Sequence, residues 1–192
     1  MFSLDFPGSR HLVEAVDNAV AQPSETAVTD TLRHALCRLM RDPEVRLPDC
    51  VFERVSDHYA RRELYRSDRH GYSVVAMTWG PGQGAPIHDH AGMWCVEGVW
   101  QGSLEITPYE LMESKDGRYR FEARGTMNAG AGSAGSLIPP HEYHTILNPS
   151  EDATAVSLHI YRRPLDACSK FYPADAGWYV RNECQLALDS TR

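Results

Sequence analysis

Apolar and polar positions follow two different periods along this chain. In the first quarter Leu12, Val13, Val16, Ala19 and Val20 recur at helical spacing behind Ser9, a candidate N-cap. Val28, Leu32, Ala35, Leu36, Leu39 and Met40 do the same behind Ser24 and stop before Pro43. From about Tyr59 onward the runs are short and rich in Val, Ile, Tyr and Trp, with breaks at 81–84, 102, 115–117, 128–135 and 148–152. That spacing predicts an all-β sandwich or barrel with a helical cap. The Ala/Gly/Ser stretch 129–136 reads as one flexible loop between strands. The predicted organisation is a single domain over 1–192, with helices in 1–50, a β-barrel in 55–172 and a C-terminal segment in 173–192.

The strand predicted over 153–161 carries the clearest alternation. Thr154, Val156, Leu158 and Ile160 make a mainly apolar face, while Ser157, His159 and Tyr161 share the other. If that polar face turns into a barrel, its groups need partners, and a polar cavity follows.

Composition narrows the classes of function. The 192 residues carry 19 Lys and Arg against 26 Asp and Glu, a net charge of −7, which argues against general binding to nucleic acid or anionic membranes. No apolar run reaches the length of a membrane span, and the first residues lack the pattern of a secretory signal. Cys37, Cys50, Cys95, Cys168 and Cys184 are scattered, odd in number and free of any C-x-x-C pair. These features predict a cytoplasmic protein in a reducing compartment, without a disulfide framework or a structural zinc finger.

The residues that carry chemistry centre on His88-Asp89-His90, preceded by Gly82, Gly84 and Pro86. Histidines at i and i+2 on a strand project to one face, close enough to grip one metal, with Asp89 turned the other way. A third histidine comes from Pro139-Pro140-His141-Glu142-Tyr143-His144, where only one of His141 and His144 can face inward from a regular strand.

These motifs resemble the cupin superfamily, and the resemblance implies a mainly β, jelly-roll-like cupin barrel. Gly82, His88, His90, Cys95 and Gly102 fall on the first cupin motif, with Cys95 where most cupins place a metal-binding Glu. Pro139, His144 and Asn148 fit the second motif more loosely, and the fit selects His144. Cysteine in place of that glutamate resembles the cysteine dioxygenase family of thiol dioxygenases. Trp79-Gly80, Ile87 to His90, Cys95, Gln101-Gly102, His144 and Ser157 to Tyr161 fall in its register, and Cys168 matches a cysteine found after the last cupin strand.

The resemblance implies Fe(II) held by His88, His90 and His144 with no carboxylate. Three neutral ligands leave the full ionic charge in the pocket, which favours a thiolate and lowers the pKa of a bound thiol. Glu97 is the rival carboxylate, on the strand face of Cys95 but two residues past the motif position. Cys95 and Tyr161 match a pair that some members join by a thioether, whereas many bacterial members carry Gly at the first position. Ser157, His159 and Tyr161 resemble the family's relay, in which the serine orients the histidine and the histidine the tyrosine.

Tyr59-Ala60-Arg61 resembles the Tyr-x-Arg of members that act on cysteine, where the guanidinium fork pairs with the substrate carboxylate and the tyrosine assists. Arg62 is the fallback. Arg162-Arg163-Pro164 departs from the Ser-Pro-Pro of many members and opens the question of a second carboxylate. The implied function is oxidation of L-cysteine by O2 to cysteine sulfinate. The alternatives are another small thiol acid, 3-mercaptopropionate or mercaptosuccinate, or a redox-inert metal cupin such as a sugar isomerase. The partners expected are the thiol and O2 alone, in a monomer or small homo-oligomer.

Overall fold

The computed structural model describes residues 5–191, and the two helical patterns become α1 (Ser9–Val20) and α2 (Glu25–Leu39). Ser24 caps α2 as expected, its hydroxyl accepting the Ala27 N–H at 3.2 Å. Ser9 does not cap α1. The cap is Gly8 at φ 78°, where a side chain would also strike the Glu44 carbonyl, and the Ser9 hydroxyl turns to Asp5 instead.

Twelve strands follow among the described residues: β1 (Ala60–Arg66), β2 (Ser73–Trp79), β3 (Gly84–His88), β4 (Cys95–Gln101), β5 (Ser103–Lys115), β6 (Arg118–Ala123), β7 (Met127–Gly130), β8 (Ala134–Leu137), β9 (His144–Leu147), β10 (Ala155–Tyr161), β11 (Ala167–Pro173) and β12 (Tyr179–Gln185). They form two antiparallel sheets, β1-β2-β10-β4-β8 and β6-β12-β11-β3-β9-β5-β7. This is the mainly β, cupin-type architecture with short N-terminal helices that the sequence predicts.

The five-stranded sheet separates two cores. Leu12, Val16, Leu32 and Leu36 of the helices pack on its outer face against Val74, Val96, Val156, Leu158 and Ile160. Each fully buried aliphatic side chain contributes about 1.5–3 kcal/mol. Tyr72 ties α1 down, its hydroxyl donating to Asp17 at 2.7 Å. The inner face presents Val75, Met77, Trp79, Cys95, Val99 and Tyr161 toward Leu104 and Ile146 of the second sheet. The alternation in β10 therefore resolves as predicted: its apolar positions face the helices and its polar positions face the barrel interior.

The stretch 129–136 is not one loop. β7 pairs with β5 and β8 with β4, leaving a tight turn between them. Small residues carry no hydrophobic period, but their backbone groups complete both ladders. The C-terminal segment doubles back as β12 and then crosses β1, where Asp189 N–H donates to the Arg61 carbonyl at 2.7 Å. All five cysteines are free, and no helix among the described residues is long and apolar enough to cross a membrane.

Candidate metal centre

Strand pairing assembles the histidines. In the β3–β9 ladder His88 stands directly opposite His144, and His90 follows just beyond the end of β3. One ligand atom from each of His88, His90 and His144 lies within 4.8 Å of the others. Asp89 points away as expected, its carboxylate accepting the Ser169 N–H at 2.8 Å.

Hydrogen bonds fix which nitrogen faces the centre. Nδ1 of His88 lies 2.9 Å from the Pro86 carbonyl, and Nδ1 of His144 lies 3.0 Å from the Glu142 carbonyl. A carbonyl only accepts, so both Nδ1 atoms carry protons and both Nε2 lone pairs are free. His144 Nε2 is buried without a hydrogen-bond partner. Burial, and then the neighbouring His90, lowers His144 to about 3, and burial followed by its two partners holds His88 well below the usual histidine range. Three imidazoles converging on one point fit a borderline divalent ion such as Fe(II).

Glu142 lies behind two of these ligands, a role the sequence reading missed. Its carboxylate accepts the His90 N–H at 2.7 Å and stands 3.4 Å from His90 Nδ1, while its carbonyl holds His144. The available signal was its i−2 spacing from His144, which puts both on one side of the chain.

Cys95 and Tyr161 are direct cross-strand partners on β4 and β10, with side chains on the interior face. Burial pushes the Cys95 thiol well up, and it stands outside the histidine cluster. Burial, and next the Cys95 thiol, also pushes the Tyr161 hydroxyl up, opposed by the positive field of Arg61.

The Ser157–His159–Tyr161 series is assembled only in its first leg. Trp79 Nε1–H donates to Ser157 Oγ at 2.9 Å, and Ser157 Oγ lies 2.8 Å from His159 Nε2. Ser157 thus engages Nε2 of His159, and the ring's other nitrogen is Nδ1. That nitrogen faces Glu97 Oε2 at 3.3 Å, not Tyr161, whose ring stacks on His159 at 6.0 Å between centroids. Residues two apart on a strand lie side by side, whereas the cross-strand partner of His159 is Glu97.

Glu97 is thus closer to the chemistry than its spacing suggests. Its Oε2 is also 3.9 Å from His144 Nε2, and burial raises its carboxyl to about 7. It lines a cavity of about 310 Å3 together with Val99, Leu104, Ile106 and Leu137.

Arg61 opposes Met77 on β2 and so faces the interior, while Arg62 faces the other side and donates to Thr78 Oγ1 at 3.2 Å. Register thus separates the two candidates. The Arg61 guanidinium donates to the carbonyls of Ala187 at 3.2 Å and Leu165 at 3.1 Å, and its Nε is buried without a partner. Tyr59 stacks on Trp79 at 4.4 Å, and the Lys170 ammonium lies 5.8 Å over the Tyr59 ring, a second cation that the sequence reading missed. Arg162 is exposed on the helical side, 3.8 Å from Glu25, and Arg163 is exposed. Neither reaches the histidines.

Residues 52–173 match the family model described as cysteine dioxygenase type I. Cysteine dioxygenase type 1 of Rattus norvegicus is 28% identical over 120 residues, and that of Homo sapiens 27% identical over 120 residues, each covering 59% of this chain and 59% of the relative. The aligned stretch thus spans about three-fifths of these curated relatives. Among solved structures, TT1209 from Thermus thermophilus aligns at 17% identity over 63% of this chain and 99% of that one, with a TM-score of 0.48. A Cupin 2 conserved barrel domain protein from Salinispora arenicola aligns at 17% identity over 62% and 88%, with a TM-score of 0.42.

Proposed function

The chain belongs to the cysteine dioxygenase type I family, and from that premise we propose that it is an Fe(II)-dependent thiol dioxygenase converting L-cysteine to cysteine sulfinate. The observation that carries this reading is the cluster of His88, His90 and His144 without a carboxylate among its members, beside the facing pair Cys95 and Tyr161. The reaction balances without a reductant, because the thiol and O2 together contain every atom and electron of the sulfinic acid.

His88, His90 and His144 would hold the iron. Bound there, Fe(II) supplies a Lewis acid for the thiol and the one-electron chemistry that O2 requires. Arg61 holds the substrate carboxylate through N–H groups not spent on Ala187 and Leu165, and Tyr59 walls that side. Tyr161 presents its hydroxyl from the interior face, fixed between Cys95 and the ring of His159, and Ser157 holds Nε2 of that ring in place. The Cys95–Tyr161 pair is also where a thioether would form, the thiol and the phenol ring giving up one hydrogen each to O2, which leaves as peroxide. The nearly complete burial of His90, His144, Tyr161 and His159 keeps bulk water from the reacting sulfur.

Oxygen uptake by the Fe(II)-loaded protein with L-cysteine, 3-mercaptopropionate and mercaptosuccinate, with sulfinate quantified, tests the reading. Preference for cysteine with one sulfinate formed per O2 consumed supports it. Turnover of another thiol keeps the reaction and changes the substrate, and no uptake with any thiol removes the dioxygenase reading.

A further inference from the structure

β11 and β12 pair with Cys168 directly opposite Cys184, and both thiols are free. Partners of this kind project to the same face of a sheet. The register runs on past the strand ends, where Asp166 faces Leu186 and accepts its N–H at 2.8 Å. Hydrogen-bonded pairs alternate along an antiparallel ladder, so the cysteines, two residues further in, are again such a pair, with Cα atoms about 5.5 Å apart. That separation falls inside the roughly 4.4–6.8 Å that a disulfide spans.

One residue beyond Asp166 and Leu186 come Leu165 and Ala187, and there the Arg61 guanidinium bridges the two chains. Its Nη1 donates to the Ala187 carbonyl at 3.2 Å and its Nη2 to the Leu165 carbonyl at 3.1 Å. The two arms that carry the cysteines therefore also grip the carboxylate anchor of the proposed reaction. The thiols themselves differ in access. Cys168 is 6% exposed, and burial pushes it up to about 11, whereas Cys184 is partly exposed. Cys184 is thus the thiol that meets a dissolved reagent, and Cys168 the one that resolves it.

We propose that Cys168 and Cys184 are a redox modification site, closed to a cross-strand disulfide by a low-molecular-weight disulfide, and that closure shifts the grip on Arg61. In the first step the Cys184 thiolate attacks one sulfur of the small disulfide, which forms a mixed disulfide and releases one small thiol. Cys168 then attacks the Cys184 sulfur and releases the second. The two protein sulfurs are oxidised by one electron each, the small disulfide is reduced to two thiols, and the two protein thiol protons leave with them. Opposed Cβ atoms in a hydrogen-bonded pair stand about 5.5 Å apart and a disulfide holds them at about 3.8 Å, so closure draws the strands together by on the order of 1 Å. Three residues along each arm, that movement reaches the carbonyls on Arg61, and misplacement on this scale weakens a substrate's hold. The effect on substrate rests on the thiol dioxygenase reading; the bond itself does not.

The test treats the metal-loaded protein anaerobically with hydroxyethyl disulfide and maps its tryptic peptides, which part the two cysteines because Lys170 and Arg181 lie between them. Wild type should yield the Cys168 and Cys184 peptides joined, and dithiothreitol should separate them. Cys168→Ser should stop at a mercaptoethanol adduct on Cys184. An adduct that persists in wild type, or no reaction at either cysteine, overturns the proposal. Heteronuclear NMR of the Zn(II)-loaded protein reads Arg61, whose buried Nε–H has no partner. Its signal should move on oxidation of wild type and stay in place in Cys184→Ser; joined peptides without that movement overturn the effect on Arg61. With Fe(II) bound, the oxidised protein should begin turnover of L-cysteine about fivefold or more slower than the reduced protein, then accelerate as substrate thiol reduces the bond. Cys184→Ser should show no lag, and a lag there, or none in oxidised wild type, overturns the link to substrate. Absence of O2 uptake by the reduced protein would sink the dioxygenase reading instead, and the peptide map and the Arg61 signal would still decide the pair.

Discussion

The carboxylate of Glu142 accepts the backbone N–H of His90 at 2.7 Å. Through its carbonyl the same residue holds Nδ1 of His144 at 3.0 Å, so one side chain and one peptide group orient two of the three candidate ligands. Outer partners of this kind typically contribute about 10- to 100-fold in metal affinity. Glu142→Ala should therefore lower affinity for Fe(II), or for Co(II) as a probe, by about that factor. Glu142→Gln retains an acceptor for the His90 N–H and should lose less. Competition against a chelator measures both, and wild-type affinity in Glu142→Ala would remove Glu142 from the site.

What could be read from the sequence was what repeats locally. The period of β10 placed Ser157, His159 and Tyr161 inward, and the i, i+2 spacing of His88 and His90 placed two ligands together. Cross-strand register is not local. It makes Cys95 the partner of Tyr161 and Glu97 the partner of His159, and it also turns Arg61 inward and Arg62 outward. The run 129–136 looked like a loop because Ala, Gly and Ser carry no hydrophobic period, although their backbones complete two ladders. Likewise, nothing near Arg61 in the chain announces that residues 187–189 will lie on it.

Tyr161→Phe removes one hydroxyl from a fully packed interior and leaves the three histidines untouched. Iron content should be unchanged while kcat for L-cysteine falls on the order of a hundredfold, the usual effect of losing one well-placed donor. Metal analysis and O2 uptake coupled to sulfinate formation test this. Undiminished, fully coupled turnover would take the hydroxyl out of the mechanism.

Arg61 is braced by the C-terminal segment, and that brace is pH-dependent. Its N–H donates to the Asp189 carboxylate at 2.8 Å, and Asp189 also meets His58 at 3.0 Å, with Asp57 on the ring's other nitrogen at 2.8 Å. Hydrogen bonds to Asp189 and then Asp57 raise His58 above its ordinary 6.5. Burial pushes Asp189 up, but the Arg61 N–H and then His58 bring it below 3.8. A raised histidine contributes stability that is full below 6.5 and lost as pH rises through its folded value; a depressed carboxylate contributes above 3.8 and loses this as pH falls through its own. Amide exchange at Leu186 and Asp189, corrected for its intrinsic pH dependence, should thus be slowest between those limits and quicken above neutrality. The change should be small, because His58 is half exposed. His58→Gln should flatten the profile, and an unchanged profile would show that His58 does not fasten the segment.

Gly84 and Gly98 offer a matched pair that separates the site from the helical face. A Cβ on Gly84 would stand 2.4 Å from the Ile146 carbonyl and 3.2 Å from Leu147 Cα, backbone atoms of β9 that cannot turn aside. Gly84→Ala must therefore push β3 from β9, the ladder that sets His88 opposite His144. On Gly98 the new atom would meet Met40 Cε at 3.0 Å and Sδ at 3.2 Å, the end of a flexible side chain on the helical side. Gly84→Ala should lose about 1–3 kcal/mol of stability together with metal affinity. Gly98→Ala should lose about 1 kcal/mol or less and bind metal as the wild type does. Thermal melting with Co(II) titration of both variants checks the contrast. Wild-type metal affinity in a clearly destabilised Gly84→Ala protein would mean that the β3–β9 register does not govern the histidine cluster.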